Sequence, residues 1–371
     1  MQRLLFIFGT RPEAIKLAPL IKEFQKHTED FECRVCISAQ HREMLDQVVQ
    51  FFQIEADYDL NIMKPGQTLF EVTADALRGM EAVLDDYRPH WVFVQGDTTT
   101  TFAGALAAYY KKSKVAHIEA GLRSFDKYAP FPEEMNRTLT SRLADLHFAP
   151  TDKAKRNLIR ESVDESSIHV VGNTVIDPLL MTVAKVKSMD GEAFRRSLQP
   201  VDFDKKLILV TGHRRESFGR PFKAICRAIR EIADTPDIEV VYPVHLNPNV
   251  RRPVFAMLGG LTNVHLIDPL DYPTFVWLMS RSYLILTDSG GVQEEAPSLG
   301  KPVLVMREVT ERTEGIEAGT CRLVGARRKT IVDETMSLLN DRDQYQRMAT
   351  ARNPYGDGKA SERVASILRG L

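Results

Sequence analysis

The sequence has little of what marks disulfide-bonded, membrane-spanning or nucleic-acid-binding proteins. Only 4 of its 371 residues are cysteine, too few for a disulfide framework at this length and in keeping with a reducing cytoplasm. Apolar runs such as residues 4–8 and 207–210 are far shorter than the roughly 20 residues that cross a bilayer. The net charge of −1 gives no electrostatic reason to expect nucleic acid or a membrane surface as a partner. We therefore expect a cytoplasmic globular protein.

Signals for metals and redox cofactors are also weak. Cys33 and Cys36 form a C-x-x-C, but they lie in a strand-like run, where residues three apart point to opposite faces. We expect structural cysteines there. No group of His, Asp and Glu has the spacing of a metal site. No G-x-G-x-x-G follows a strand, so the sequence does not support a nicotinamide cofactor.

Short apolar runs alternate with amphipathic segments along the whole chain, a pattern that predicts an α/β fold with parallel sheets and crossover helices. We expect a first Rossmann-like domain over residues 1–172 and a second over 173–358, with a last helix at 359–371 that packs back on the first. Ligands in such folds bind beyond the carboxyl ends of the strands, which predicts an active site in the interdomain cleft. The predicted strands are 3–8, 31–38, 91–95, 114–118, 168–171, 206–211, 238–244, 264–268, 283–287, 302–306 and 321–324.

The most informative segment is 284–306, which predicts a buried strand, a tight turn at 288–291, a short helix and another buried strand. Adjacent glycines at Gly290 and Gly291 let backbone approach a ligand, and free N–H groups at a helix start favour an anion. Glu295 follows one turn later, where it can accept hydrogen bonds from sugar hydroxyls. The segment indicates a nucleotide-diphosphate site, although an ordinary glycine-rich βα turn has the same pattern.

Carboxylates follow two predicted strands and begin a helix in the first half of the chain. Asp97 and Glu119 come at strand ends, and Glu133 lies at a helix start with Arg137 one turn further on. Each carboxylate alone could be a helix cap or a surface group. Together they favour acid–base chemistry, because burial and like charges raise carboxyl pKa values toward neutrality.

Cations follow the first strand of each predicted domain. Arg11 and Lys16 lie in a turn and helix start after the first strand, and both can reach an anion. His213 and the arginines beside it follow strand 206–211, a composition that suits a leaving phosphate.

Seven motifs together resemble one family. They are Gly-Thr-Arg-Pro-Glu-Ala-Ile-Lys at 9–16, Gly-Asp-Thr-Thr-Thr-Thr at 96–101, His-Ile-Glu-Ala-Gly-Leu-Arg at 117–123, Pro-Glu-Glu-Met-Asn-Arg at 132–137, Gly-His-Arg-Arg-Glu-Ser at 212–217, Thr-Asp-Ser-Gly-Gly-Val-Gln-Glu-Glu at 287–295 and Asn-Pro-Tyr-Gly-Asp-Gly at 353–358. From end to end, the chain resembles the non-hydrolysing UDP-N-acetylglucosamine 2-epimerases of bacteria. The resemblance implies a glycosyltransferase-B-like pair of domains, a homodimer, and neither an organic cofactor nor a catalytic metal.

The resemblance also implies a reaction and its residues. UDP would be eliminated to give 2-acetamidoglucal and added back after C2 is protonated from the other face, so that UDP-N-acetylmannosamine forms as a precursor of surface polysaccharide. Asp97, Glu119 and Glu133 would transfer protons, although which one serves which face stays open, and His213 would act on the diphosphate. The substrate-binding residues would be Arg11, Lys16, Arg137, Phe275, Ser289, Gly290, Gly291, Glu295 and Arg312.

Some family members bind a second UDP-N-acetylglucosamine as an allosteric activator. Matching positions here are Gln40, Gln67 and His245, with Glu134 nearby, whereas Gly66 stands where several members carry Arg. Three other functions stay open from the residues alone: a hydrolysing epimerase, a glycosyltransferase of the same fold, and a non-enzymatic sensor of UDP-sugars.

Overall fold

Continuous apolar runs form the central strands, as is typical of parallel sheets covered on both faces. The computed structural model describes residues 1–38, 42–64 and 66–371, apart from the side chains of 42–44 and 215. The chain divides into two compact units: Met1–Pro178 with Gly356–Leu371, and Leu179–Tyr355. Within the described residues, no helix is both long and apolar enough to cross a bilayer.

Unit 1 contains a seven-stranded parallel sheet in the order β3-β2-β1-β4-β5-β6-β7. Its strands are β1 (Gln2–Phe8), β2 (Phe31–Ile37), β3 (Tyr58–Asp59), β4 (Trp91–Gln95), β5 (Lys114–Ile118), β6 (Leu146–Ala149) and β7 (Ile168–Val170). Its helices are α1 (Arg11–Phe24), α2 (Arg42–Phe51), α3 (Leu69–Tyr87), α4 (Thr99–Tyr110), α5 (Glu133–Leu143), α6 (Asp152–Arg160) and, at the chain end, α16 (Ala360–Arg369). Helix α7 (Ile176–Lys187) begins in this unit and continues into the next.

Unit 2 contains a six-stranded parallel sheet in the order β10-β9-β8-β11-β12-β13. Its strands are β8 (Lys206–Thr211), β9 (Ile238–Pro243), β10 (Val264–Ile267), β11 (Leu284–Thr287), β12 (Val303–Val305) and β13 (Cys321–Leu323). Its helices are α8 (Gly191–Ser197), α9 (Arg220–Ala233), α10 (Pro248–Leu258), α11 (Tyr272–Arg281), α12 (Gly290–Glu295), α13 (Thr313–Glu317), α14 (Arg328–Asn340) and α15 (Arg342–Ala349). Three short 3-10 turns lie at Glu165–Ser167, Arg215–Ser217 and Ala296–Leu299.

The strand order of each sheet reverses at one point, and the two reversals are equivalent. In unit 1, β1 pairs with both β2 and β4. In unit 2, β8 pairs with both β9 and β11. Crossover helices leave opposite faces at such a switch point, which opens a crevice at the carboxyl ends of the two strands. The segments after β1, β4, β8 and β11 are therefore where ligand-binding residues are expected.

Aromatic side chains in the core of unit 1 pack against the two strands that form its switch point. Phe6 on β1 stacks on Phe93 of β4 with ring centroids 4.8 Å apart, and Phe24 of α1 lies 5.4 Å from Phe93. All three side chains are fully buried, and each contributes roughly 1.5–3 kcal/mol by leaving water. This core fixes the two strands whose ends carry the polar residues described next.

The cysteines behave as the strand pattern predicts. Cys33 and Cys36 on β2 are both free thiols, as are Cys226 and Cys321. Burial is the main cause that raises the pKa of Cys33 and of Cys36 to about 12. Neither thiol is therefore a ready thiolate nucleophile.

Candidate active site

Glu13 ties together the two turns at the switch point of unit 1. Its Oε2 accepts the N–H groups of Gly9 and Thr10 at 3.1 and 2.7 Å, just after β1. Its Oε1 accepts the hydroxyls of Thr98 and Thr101 at 2.7 and 3.1 Å, at the start of α4. The side chain is buried, and burial raises its pKa while these hydrogen bonds lower it. Arg11 begins α1 in the same turn.

Asp97 lies just after β4 and carries a perturbed pKa. Burial is the largest cause raising its pKa from 3.8 to about 6, Arg137 opposes the rise, and the charges of Glu119 and Glu133 add to it. Arg137 on α5 forms an ion pair with Asp97, with Nη2 2.9 Å from Oδ2. The carboxyl can therefore change protonation state near neutral pH, as a general acid or base requires.

Glu119 lies just after β5 in a left-handed conformation, with φ +64°. Such a backbone is uncommon for a residue with a side chain and is often found at functional sites. Lys16 of α1 donates to Glu119 Oε2 at 2.5 Å. The side-chain amide of Gln95 donates to the same oxygen, so both contacts converge on one oxygen of the carboxylate.

His117 on β5 supports the turn at Gly96, just before Asp97. Its side chain is fully buried, and burial lowers its pKa to about 3. The ring is therefore neutral, and its Nε2 lies 2.8 Å from the carbonyl oxygen of Gly96, to which it donates. Gly96 has φ +71°, a conformation that glycine adopts readily. The histidine thus fixes the turn that presents Asp97.

The two glutamates at the start of α5 have different environments. Glu133 is partly buried and affects Asp97 through its charge. Glu134 is buried and accepts the N–H groups of Ser124 and Phe125 at 3.0 and 2.9 Å. Arg137, one turn after Glu133, lies 3.5 Å from Glu134 in addition to its contact with Asp97. The ion pairs of this arginine are therefore with these two carboxylates.

His213 follows β8 at the switch point of unit 2. Its ring stacks on that of His245, with centroids 5.2 Å apart and planes inclined by 14°. Its Nδ1 lies 3.6 Å from Oδ1 of Asp288, which follows β11. Burial is the main cause lowering the pKa of His213, and Asp288 opposes that effect.

The glycine turn and Arg312 lie against each other. Helix α12 begins at Gly290, directly after Ser289. A Cβ added to Gly290 would lie 2.7 Å from Cζ of Arg312, so only glycine leaves room for the guanidinium. Glu294 accepts from Arg312 Nε at 3.1 Å, and Glu311 pairs with Nη1. The structure thus brings Arg312 beside the turn at the start of α12.

Glu295 is held by a tyrosine from the neighbouring helix. The hydroxyl of Tyr272 donates to Glu295 Oε1 at 2.9 Å, and both side chains are buried. Tyr272 begins α11, which also carries the partly buried Phe275 one turn later. The residues expected at the ribose and the uracil are therefore linked through α11.

The structure describes three of the four residues predicted for an activator site. Gln40 lies outside the described residues. Gln67 closes its own loop, donating to the Ile62 carbonyl and accepting the Lys64 N–H, both at 2.8 Å. Glu134 holds the loop at Ser124, and His245 lies in unit 2. Gly66 has φ +71°, which disfavours a larger residue there.

The described part of the chain contains no group of three or more His, Cys, Asp or Glu side chains arranged to hold a metal ion.

The comparisons with known proteins agree on one family. The family model for UDP-N-acetylglucosamine 2-epimerase matches residues 22–369. The chain belongs to the UDP-N-acetylglucosamine 2-epimerase family. The predicted family and its isomerase activity are thereby confirmed.

Relatives of this epimerase chain match it over nearly its full length. The UDP-N-acetylglucosamine 2-epimerase of Escherichia coli K12 is 56% identical over 370 residues, covering 99% of this chain and 98% of the relative. The Neisseria meningitidis UDP-GlcNAc 2-epimerase, solved bound to UDP-GlcNAc, is 50% identical with a TM-score of 0.93 and full coverage of both chains. The Methanocaldococcus jannaschii enzyme, solved with UDP-GlcNAc and UDP, is 36% identical with a TM-score of 0.84, again covering both chains fully. These likenesses confirm the predicted glycosyltransferase-B-like fold class.

Four residues of this epimerase site were not singled out from the sequence. Three of them lie inside or beside a quoted motif and Tyr272 lies three residues before Phe275, but the role of each depends on partners from elsewhere in the chain. Two sequence signals could have pointed to two of them: the carboxylate of Glu13 in the turn after the first strand, and the amide of Gln95 just before Gly96. The four are Glu13, Gln95, Tyr272 and Asp288.

Proposed function

We propose that this protein interconverts UDP-N-acetylglucosamine and UDP-N-acetylmannosamine without hydrolysing them. The C2–H bond and the C1–O bond to UDP break, the proton passes to a protein carboxylate, and UDP leaves with the bonding electrons. The remaining sugar is 2-acetamidoglucal. A second carboxylate then protonates C2 from the opposite face, and a UDP oxygen attacks C1 to restore the sugar nucleotide.

The carboxylates of unit 1 supply the two proton-transfer groups. Inversion at C2 requires one group on each face of the sugar, one ionised and the other protonated before each turnover. The elevated pKa of Asp97, to which the charges of Glu119 and Glu133 both contribute, supports this division, because neighbouring negative charges favour the protonated form of Asp97. We assign proton transfer at C2 and C3 to these three residues and leave the face served by each unassigned.

Unit 2 supplies the nucleotide site. We assign His213, Arg312 and the turn Ser289–Gly291 to the diphosphate, where cations and N–H groups stabilise the charge that develops as C1–O breaks. The ribose hydroxyls bind Glu295, and the uracil lies beside Phe275. From unit 1, Arg11, Lys16 and Arg137 add positive charge around the substrate.

The observation that carries the proposal is the paired geometry at the carboxyl ends of β4 and β5. Asp97 is paired with Arg137 at 2.9 Å and Glu119 with Lys16 at 2.5 Å, and the two carboxylates interact electrostatically. A glycosyltransferase needs one base and an acceptor site. Two such carboxylates, one of which raises the pKa of the other, fit proton exchange at a single carbon.

Turnover in heavy water tests this chemistry. Carboxyl protons exchange with solvent, so deuterium should appear at C2 of the recovered UDP-sugar by mass spectrometry. An oxygen-18 label bridging C1 and phosphorus should scramble into the non-bridging phosphate positions, because C1–O breaks and reforms. Product without deuterium at C2 would contradict the proposal.

The same experiment separates the rival functions. A hydrolysing epimerase would release free N-acetylmannosamine together with UDP. A glycosyltransferase would leave C2–H untouched, and a sensor of UDP-sugars would bind substrate without exchange at C2.

We further infer a homodimer in the cytoplasm, which the family resemblance and the low cysteine content support.

We also propose activation by a second UDP-N-acetylglucosamine, weakened because Gly66 supplies no phosphate contact. Its test is the reverse reaction from pure UDP-N-acetylmannosamine, which should start slowly and speed up when UDP-N-acetylglucosamine is added. A full initial rate without that addition would contradict activation.

A further inference from the structure

Asp288 is fully buried at the switch point of unit 2, and it divides its two oxygens between different tasks. Its Oδ2 accepts the backbone N–H groups of His213 and Arg214 at 2.7 and 2.8 Å. These two bonds fix the turn after β8 to the end of β11. One oxygen of the carboxylate is thereby fully used in holding the backbone of His213.

The other oxygen of Asp288 faces the imidazole. Oδ1 is buried and has no hydrogen-bond partner among the described residues, although a buried polar atom is ordinarily paired. It lies 3.6 Å from Nδ1 of His213. A small rotation of the histidine would close this gap to the roughly 2.8 Å of a charge-assisted hydrogen bond.

The other groups around His213 do not offer this contact. His245 stacks on the face of the ring, and Arg214 repels a positive imidazole. Tyr242 on β9 donates its hydroxyl to the carbonyl of Gly212 at 2.7 Å. Asp288 is the group that favours the protonated ring, whereas His245, Arg214 and burial oppose it.

We propose that Asp288 is a positioning residue for His213: when a diphosphate binds, Oδ1 of Asp288 accepts a hydrogen bond from Nδ1 of His213, so that the doubly protonated imidazole presents Nε2–H to the phosphate. The inference rests on the proposed assignment of His213 to the UDP diphosphate. The proton that completes the imidazolium comes from solvent on binding. The positive charge then offsets the negative charge that UDP gains as C1–O breaks. Asp288 stabilises this imidazolium as the buried carboxylate of a catalytic triad does for its histidine.

Proton uptake on UDP binding tests the proposal without requiring turnover. It is measured near neutral pH by calorimetry of the full chain in buffers of different ionisation enthalpy. The free His213 is mostly neutral, because its pKa is lowered, so the wild-type protein should take up a fraction of a proton. Asp288→Asn should lose at least half of that uptake and about 100-fold in kcat, the scale for removing a group that stabilises charge developing in the transition state.

The asparagine variant separates charge from scaffold. Its amide oxygen can still accept from the N–H groups of His213 and Arg214, while its NH2 faces Nδ1 and keeps the ring neutral. His213→Gln should abolish the same uptake, and combining it with Asp288→Asn should add little further loss in kcat. Independent, additive losses would show that Asp288 does not act through His213.

Glu239→Gln is the matched control. Glu239 is also buried in unit 2 and also pairs with a histidine, His265, as well as with Lys205 at 2.8 Å. It lies near the amino end of β9, away from the switch point. Its substitution should leave both proton uptake and kcat at wild-type values, and a loss of uptake in this control would overturn the assignment.

A measurement on the wild-type protein keeps the proposal testable if Asp288→Asn does not fold. Nitrogen-15 spectra of histidine-labelled protein with UDP, with His213 identified by its loss in His213→Gln, should show both ring nitrogens protonated. A neutral His213 ring in the UDP complex would overturn the proposal. Normal epimerisation with unchanged proton uptake in Asp288→Asn would refute the role of Asp288 alone, whereas proton uptake without C2 exchange would refute the proposed function alone.

Discussion

At the scale of the residue, carboxylates at similar places in the chain do different work because their neighbours differ. Glu13 has four donors from two turns, which hold it in place. Glu134 is committed to a loop through two N–H groups. Asp97 pairs with Arg137, and burial with two nearby like charges raises its pKa to about 6, so it can exchange a proton near neutral pH.

Substitution of the three proposed proton-transfer groups should separate chemistry from binding. Asp97→Asn, Glu119→Gln and Glu133→Gln should each lower kcat by about 100-fold or more, the usual effect of removing a general acid or base. UDP affinity by calorimetry should change little, because most of the proposed nucleotide contacts lie in unit 2. Glu81→Gln, an exposed carboxylate on α3, should behave as wild type. Near-normal turnover in all three variants would refute the assignment.

The raised pKa of Asp97 also predicts how stability depends on pH. A folded pKa of about 6 against 3.8 means that the stabilising contribution is full below pH 3.8 and is lost as pH rises through about 6. Asp97→Asn cannot ionise, so its stability should gain on wild type by roughly 1–2 kcal/mol from acid to alkaline pH. The expected gain is smaller than the full pKa shift corresponds to, because water screens a side chain that is 31% exposed. Melting temperatures across that range test the prediction, and parallel curves for the two proteins would contradict it.

The sequence predicted which residue types gather at strand ends, because Asp97, Glu119 and His213 directly follow apolar runs. It could not predict their partners. Gln95 reaches Glu119 from a neighbouring strand, and Asp288 reaches His213 across 75 positions of the chain. Such contacts depend on strand order, which local patterns do not contain.

At the scale of the element, the start of α12 shows how a glycine can place a charge on another segment. Gly290 leaves room for the guanidinium of Arg312, which lies just before α13. The anion binding proposed for this turn therefore depends on a backbone and a side chain that are 22 positions apart in the sequence.

Gly290→Ala should consequently act through Arg312. Its Cβ would displace the guanidinium, so UDP affinity should fall by about 10-fold or more, close to the effect of Arg312→Ala and on the scale of one charge-assisted hydrogen bond. Combining the two changes should add little, because the group displaced is already absent. Gly191→Ala, where a Cβ meets nothing within 4 Å, is the control. Additive losses by calorimetry would show that the glycine acts independently.

Every strand except β3 and β6 was predicted, including the three-residue strands β7, β12 and β13. Strand β3 has two residues and β6 has four, and neither was predicted. The run that forms β6 begins two residues after α5 ends, so its apolar residues continue a helical pattern. Only pairing with β5 and β7 makes it a strand.

At the scale of the whole molecule, unit 1 is assembled from both ends of the chain. Helix α16 packs against α1 and buries Val364 and Leu368. Asp177 accepts the N–H groups of Ala360 and Ser361 at its start, and Arg369 pairs with Asp30 at 2.9 Å. The last helix is therefore part of the core of unit 1.

Removal of residues 360–371 should destabilise unit 1 selectively. Loss of two buried side chains at roughly 1.5–3 kcal/mol each should lower one calorimetric transition markedly. The transition that UDP raises, which we assign to unit 2, should stay in place. Removal of residues 370–371 alone, both exposed, is the control. A truncated chain that melts like the full one would contradict this role of α16.

The return of α16 also sets the order in which the protein can be completed during synthesis. Leu179–Tyr355 is one uninterrupted segment, so it can finish folding as soon as it leaves the ribosome. The first 178 residues emerge earlier but lack α16 until residues 360–369 have been made. At about 5–20 residues per second, that interval is on the order of 10–40 s. During this time the surface of α1 that α16 later covers is open to chaperones or to another nascent chain, so the unit made first is the last to be finished.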